Sequence, residues 1–221
     1  MFITGVQKLT LLDYPGHISA IIFTGGCTMR CGFCHNPEFV LPESLKKLQD
    51  HQITEKSVLR FLMTRKNLLD GVVVCGGEPT LHHDLPEFLT KIKAMGFQTK
   101  LDTNGANPRM LQKLLHERLV DYIAMDYKHT IAGYPSLTLS DKGEQIRESI
   151  ATIKTSQVDY EFRSTIYLEY IRRKSCIKWE KIFQERKSGC CRRFEEDIHW
   201  IQPMPMKFPI HYLSLYIFRK Y

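Results

Sequence analysis

An α/β fold around a parallel sheet is predicted for this 221-residue chain, on three observations. Short β-branched, apolar runs at 18–24 and 71–75 stop abruptly at glycine pairs, as buried strands do. Segments with helical spacing, about ten residues or more in length, separate one run from the next, which implies parallel βαβ units. The polar residues capable of chemistry recur at the C-terminal ends of the strands, where such sheets, barrel or open, place their functional groups.

The elements follow in order. The 18–24 run ends in Gly25-Gly26, directly before a cysteine-rich loop. Helical spacing covers 57–66, and Gly-Val-Val-Val-Cys at 71–75 is a buried-type strand closed by Gly76-Gly77. An amphipathic helix covers 85–95, with Asp84 as its expected N-cap. A strand at 97–102 closes on Thr103-Asn104-Gly105. A helix at 107–117, a strand at 121–126, a helix at 144–155 and a strand at 158–166 complete the series. Beyond it only weak helix periodicity at 169–184 and a strand at 197–202 can be read.

Composition narrows the class. Hydrophobic residues make up 43% and charged residues 25%, ordinary for a globular protein. The opening Met-Phe-Ile-Thr-Gly-Val-Gln-Lys lacks the basic start and apolar run of a signal peptide. No apolar stretch approaches membrane-spanning length. Seven cysteines, three of them clustered, point to a reducing cytoplasm rather than a disulfide framework. The net charge of +7 is uneven: residues 1–166 hold 19 Lys/Arg against 18 Asp/Glu, residues 167–221 hold 12 against 6. A near-neutral body argues against nucleic-acid binding.

Three cysteines fall within eight residues, Cys27-Thr-Met-Arg-Cys31-Gly-Phe33-Cys34. Thiolates at this spacing can converge on a soft metal centre. Three ligands leave one iron of a cube open for chemistry, whereas structural zinc normally closes with a fourth Cys or His. His35 is a poorly placed candidate for that role, and unliganded thiols are the third alternative.

The other constellations are weaker when taken singly. Gly76-Gly77-Glu78-Pro79 allows close backbone approach, exposes peptide groups and sets a carboxylate at the site's mouth, although an ordinary turn explains it as well. Asp102-Thr103-Asn104-Gly105 offers an acid, a hydroxyl and an amide suited to ribose hydroxyls or a cation, or simply a turn. Asp126 and Lys128 share a strand face, as a salt bridge or as site residues. Arg163 is a candidate carboxylate clamp or a solvated charge. Cys75 reads as a core residue, His82 and His83 as surface groups, and His51, His116 and His129 have no partner spacing.

Together these motifs resemble the radical S-adenosylmethionine (SAM) superfamily, and within it the activating enzymes of glycyl-radical enzymes. The resemblance covers roughly residues 1–166 and includes the opening Gly5-Val-Gln-Lys-Leu-Thr-Leu-Leu-Asp13-Tyr14-Pro15-Gly16 and the loop continuation His35-Asn36-Pro37-Glu38. It implies a partial (β/α)6 TIM-like barrel, open on one side. It also implies a [4Fe–4S] cluster on Cys27, Cys31 and Cys34, with SAM contacts from Phe33, Gly76, Gly77, Glu78, Asp102, Asn104, Lys128 and Arg163. A monovalent cation near Asp102, Thr103 and Asp126 is part of the same expectation. The implied chemistry is reductive cleavage of SAM to a 5′-deoxyadenosyl radical that takes hydrogen from a glycine of a protein client. Anaerobic ribonucleoside-triphosphate reductase is the implied client, and a flavodoxin or ferredoxin the implied electron donor.

Residues 167–221 depart from that pattern. They hold both tryptophans, 11 of the 24 aromatics and three cysteines, and admit two readings: a C-terminal cap that supplies a last βα unit, or a segment translated out of the original frame. Rival functions are a radical SAM enzyme acting on a small molecule and a non-catalytic iron–sulfur or zinc protein. Electron transfer prefers a fully Cys-ligated cluster, so three ligands argue against a non-catalytic electron-transfer protein.

Overall fold

The computed structural model describes residues 1–50, 52–167 and 212–219. Strands β1 (Ile3–Thr10), β2 (Ser19–Thr24), β3 (Gly71–Gly76), β4 (Gln98–Thr103), β5 (Tyr122–Asp126), β6 (Asp159–Tyr167) and β7 (Tyr212–Arg219) form one sheet in sequential order. β2 to β6 run parallel, while β1 pairs antiparallel with β2 and β7 antiparallel with β6. The sheet does not close on itself, so the molecule is the expected partial barrel, open between β1 and β7. Among the described residues the parallel part has five strands. The helix expected at 169–184 and the strand at 197–202 lie outside the described residues.

Helices α1 (Pro42–Gln49), α2 (Glu55–Met63), α3 (Leu85–Ala94), α4 (Pro108–His116), α5 (Tyr134–Thr138) and α6 (Gly143–Thr155) fill the connections. Local chemistry starts several of them. The Thr54 hydroxyl accepts from Ser57 N ahead of α2, and Asn107 Oδ1 accepts from Met110 N ahead of α4, with Pro108 preset for the first turn. Asp84 does occupy the N-cap position of α3 but makes no capping bond. Its carboxylate is taken instead by the Met1 ammonium, a charged donor that outcompetes a neutral peptide N–H.

The strand period of two sorts the sheet into two faces. Ala20, Ile22, Val72, Val74, Leu101, Ile123, Met125, Tyr160 and Phe162 face the helices and pack with Phe88, Leu89, Ile92, Leu111, Leu114, Ile146 and Ile153. The alternate residues line the barrel interior. Its apolar part is small, built from Tyr14, Ile21, Val73, Tyr122 and Ala124, with Phe23 and Cys75 against it. The rest of the interior is charged: Lys100, Asp102, Asp126, Glu161 and Arg163 (strand-register partners Asp102↔Ala124 and Asp126↔Arg163) lie on that face. Among the described residues no helix is long and apolar enough to cross a membrane.

Candidate active site at the strand ends

The cysteine loop leaves β2 through Gly25 and Gly26, the latter at φ +98, a backbone conformation that glycine adopts at little cost. Gly26 N donates to Phe39 O at 2.7 Å and Arg30 N to Thr138 O at 2.7 Å, pinning the loop to the chain on either side. Arg30 Nη1 closes it internally on Cys27 O at 2.7 Å and Met29 O at 2.9 Å. Met29 anchors it in the main apolar core, while Phe33 is buried at the cavity wall.

The glycines after β3 meet a backbone constraint. A Cβ on Gly76 would stand 2.3 Å from Thr24 N and O, and one on Gly77 2.1 Å from Gly26 O. This closeness lets Gly77 N donate to Thr24 O at 2.8 Å and Glu78 N to Gly26 O at 2.7 Å, welding the strand end to the root of the cysteine loop. Glu78 itself is buried rather than at a mouth. It accepts from Thr80 N at 3.1 Å, Thr80 Oγ1 at 2.5 Å, Thr103 Oγ1 at 2.7 Å and Asn104 N at 2.6 Å. Burial pushes its pKa up, while these donors pull it back. Glu78 thus ties β3 to the end of β4 and holds Asn104 in place. Asn104 Nδ2 then reaches Cys27 Sγ at 3.5 Å, and Met29 N reaches the same sulfur at 3.4 Å.

A cavity of about 290 Å³ opens where these elements meet. Its wall includes Cys27, Cys31, Phe33, Cys34, His35, Gly76, Gly77, Asp102, Thr103, Asn104, Asp126, Lys128 and Arg163. Every predicted site residue except Glu78 therefore lines one cavity. Cys75, read from sequence as core, reaches the wall as well. Burial pushes the Cys31 thiol up to about 11 and Cys75 to about 12, and raises Cys27. Burial likewise lowers the pKa of His35, with the nearby Lys128 and Arg163 charges acting in the same direction.

Opposite the loop, charges alternate across three strands. Arg163 Nη1 donates to Asp102 Oδ2 at 2.9 Å and its Nε to Asp126 Oδ1 at 3.1 Å. Lys128 Nζ donates to Asp126 Oδ2 at 2.9 Å and lies 5.9 Å from the centre of the Phe33 ring. Burial of Asp126 alone would raise its pKa, but Lys128 and Arg163 outweigh it and hold the carboxyl well below its ordinary value. Burial likewise opposes, and Asp126 wins, in raising Lys128. Lys100 Nζ lies 2.7 Å from Asp102 Oδ1 and 3.9 Å from Glu161 Oε1. Lys100 and Glu161 escaped the sequence reading, although each sits two residues before a chosen residue, Asp102 or Arg163, on the same strand face.

The donor set fits an iron–sulfur cluster with SAM beside it. Three soft thiols from one loop share a cavity with the partly buried cations Lys128 and Arg163, whose charge suits a carboxylate, and a coordinated metal deprotonates a thiol outright whatever its free pKa. Among the described residues no three Cys, His, Asp or Glu side chains come close enough to hold a single ion. The expected monovalent cation fits less well. All four carboxylate oxygens of Asp102 and Asp126 already face a side-chain cation, and the Thr103 hydroxyl is committed to Glu78.

Known proteins agree with this geometry. The radical SAM superfamily profile matches residues 21–160. A Methanocaldococcus jannaschii protein named as a glycyl-radical enzyme activating enzyme is 35% identical over 169 residues, covering 74% of this chain and 67% of that one. The pyruvate formate-lyase-activating enzyme of Clostridium pasteurianum is 33% identical over 141 residues, covering 62% and 56%. The chain thus spans between about half and two thirds of the length of these curated relatives. The solved structure of QueE from Escherichia coli superposes over 84% of this chain and 91% of its own at TM-score 0.47 and 15% identity. With the family profile over more than half its length and its three loop thiols and strand-end residues around one cavity, the chain belongs to the radical SAM superfamily.

Proposed function

We propose that this chain is an activating enzyme that installs a radical on a glycine of a partner enzyme. The observation that carries the proposal is the meeting of Cys27, Cys31 and Cys34 with Gly76, Gly77, Asp102, Asn104, Asp126, Lys128 and Arg163 in one cavity at the strand ends, in a chain whose relatives bear the name of glycyl-radical activators. Cys27, Cys31 and Cys34 would hold a [4Fe–4S] cluster, and the chemistry it would supply is one-electron reductive cleavage of SAM, the source of hydrogen abstraction from the client glycine.

The chain's own residues then hold and orient. In this reading Arg163 would meet the cofactor's carboxylate, Asp102, Asn104 and Lys128 would line its nucleoside and methionine side, Phe33 would contact the adenine, and the Gly76-Gly77 backbone would receive the amino group. Asn104 also donates to a ligand sulfur, a contact of the kind that tunes a cluster's potential. Glu78 acts one step back, by fixing the Asn104 peptide. Anaerobic ribonucleoside-triphosphate reductase is the client we infer, with a flavodoxin- or ferredoxin-type donor. The pairing of β7 with β6 supports reading the tail as a cap on the sheet edge beside the core of 1–166.

The test is anaerobic reconstitution with iron and sulfide, reduction, and addition of SAM. Formation of 5′-deoxyadenosine is expected, followed by a glycyl EPR doublet on mixing with the reductase. A fully loaded cluster that yields no 5′-deoxyadenosine overturns the catalytic reading. Turnover with no protein radical overturns the client and favours a small-molecule substrate.

A further inference from the structure

Lys100 is 1% exposed, inside a barrel whose interior should not tolerate a lone ammonium. It projects from β4 onto the same face as Asp102, and its Nζ stands 2.7 Å from Asp102 Oδ1, with Glu161 Oε1 at 3.9 Å and the Tyr122 ring centre at 5.8 Å. Asp102 Oδ1 is itself buried and receives no hydrogen bond of proper geometry. What Lys100 provides at that oxygen is therefore proximate positive charge rather than a directional bond, which is what a bare alkali ion provides. The other three carboxylate oxygens of the pair are held by Arg163 and Lys128 at 2.9–3.1 Å. Lys100, Lys128 and Arg163 thus balance Asp102, Asp126 and Glu161 one for one. A free monovalent cation beside Asp102, Thr103 and Asp126 would add a fourth positive charge and find every one of their side-chain oxygens committed.

We propose that Lys100 is the site's built-in cation: a positioning residue that fixes Asp102, and through it Arg163, so that the cofactor site needs no bound alkali metal ion. The inference rests on the cofactor site and is independent of which client is activated.

The test compares cluster-loaded protein in potassium, sodium and choline chloride at equal ionic strength, reading the thermal midpoint and SAM affinity. Wild-type SAM dissociation constants are expected to agree within about twofold in the three salts, a difference of under half a kcal/mol. In Lys100→Met the Asp102 Oδ1 oxygen loses its cation while Oδ2 keeps Arg163. SAM affinity should fall by about tenfold or more in choline and recover at least about threefold in potassium or sodium, with the midpoint rising in parallel. A purely structural loss would lower the midpoint equally in all three salts, and that result overturns the proposal. So does a saturable potassium or sodium requirement in the wild type. If Lys100→Met does not fold, the wild-type salt series decides, together with Lys100→Met/Asp102→Asn, which removes both charges and should fold without regard to the cation present.

Discussion

The two faces of the sheet are made from alternate residues of the same strands, yet different forces hold them. On β6, Tyr160 and Phe162 pack under the helices while Glu161 and Arg163 enter the interior; on β4, Leu101 packs outward while Lys100 and Asp102 face in. The outer face is an apolar core, where each side chain contributes through area removed from water and the loss of one leaves a cavity. The inner face is a chain of ion pairs, where the loss of one member leaves another charge buried and unpaired. The outer face therefore tolerates changes of pH and fails by degrees, whereas the inner face fails as a set and responds to protons. That division lets a stable scaffold carry a polar, reactive cavity.

The largest effect should come at the rim of the inner face. Replacing Cys27 or Cys31 with serine is expected to abolish cluster loading, measured as iron content and visible absorbance. 5′-Deoxyadenosine formation should fall by more than about 100-fold, beyond what loss of an outer-shell partner costs. Far-UV circular dichroism should not change, because these thiols hold no strand or helix together.

Next comes the outer face. Phe88 is fully buried against the sheet, so Phe88→Ala should cost about 3–5 kcal/mol in denaturant unfolding. The cost should be the same at pH 5 and pH 8. A pH-dependent cost would break the comparison.

Arg163→Leu tests the inner face directly. It strips a cation from both Asp102 and Asp126 and should cost about 2–3 kcal/mol, under the range for a fully buried pair because Asp126 is partly open to the cavity. The folded pKa of Asp126 lies below its ordinary 3.8. Its ionised form therefore stabilises the fold above that value, and the stabilisation is lost as pH falls through the folded value. In the variant only Lys128 remains, so the loss should begin at higher pH, visible as an earlier acid limb in unfolding followed from pH 7 to pH 2.

The smallest effect belongs to neither face. Lys91 is half exposed and pairs with Glu55 at 2.6 Å, and Lys91→Ala should leave the thermal midpoint almost unchanged, with any residual difference erased by salt.

These contrasts also explain what could be read in advance. The parallel strands were legible because glycine-bounded apolar runs have no other comfortable structure. β1 was not, since an edge strand with Gly5 half-buried and Gln7, Lys8 and Leu9 all exposed lacks a clean alternation. α1 was missed because it is only eight residues long, buries none of them fully and shows just two apolar residues at helical spacing, Leu45 and Leu48. β7 pairs across a long separation in chain, which local pattern does not reveal. In the site, the cysteine spacing, Asp102, Asp126, Lys128 and Arg163 were found from strand-end position. Glu78 was found but misplaced, because its four partners come from Thr80, Thr103 and Asn104 rather than from a ligand.

The sequence alone determined the chemical inventory: three thiols in one loop, glycines where backbones must nearly touch, and acids and cations at strand ends. Those are properties of residue type and short spacing, which covalent geometry carries directly. Only the tertiary structure decided who pairs with whom. Arg163 meets Asp102 across 61 residues and Asn104 meets Cys27 across 77, contacts created when parallel strands align. The buried charge of Lys100 follows the same logic. Whether an ammonium inside a barrel is a liability or a counter-ion depends on the oxygen 2.7 Å away, and electrostatic energy in a low-dielectric interior depends on distance through space, not along the chain.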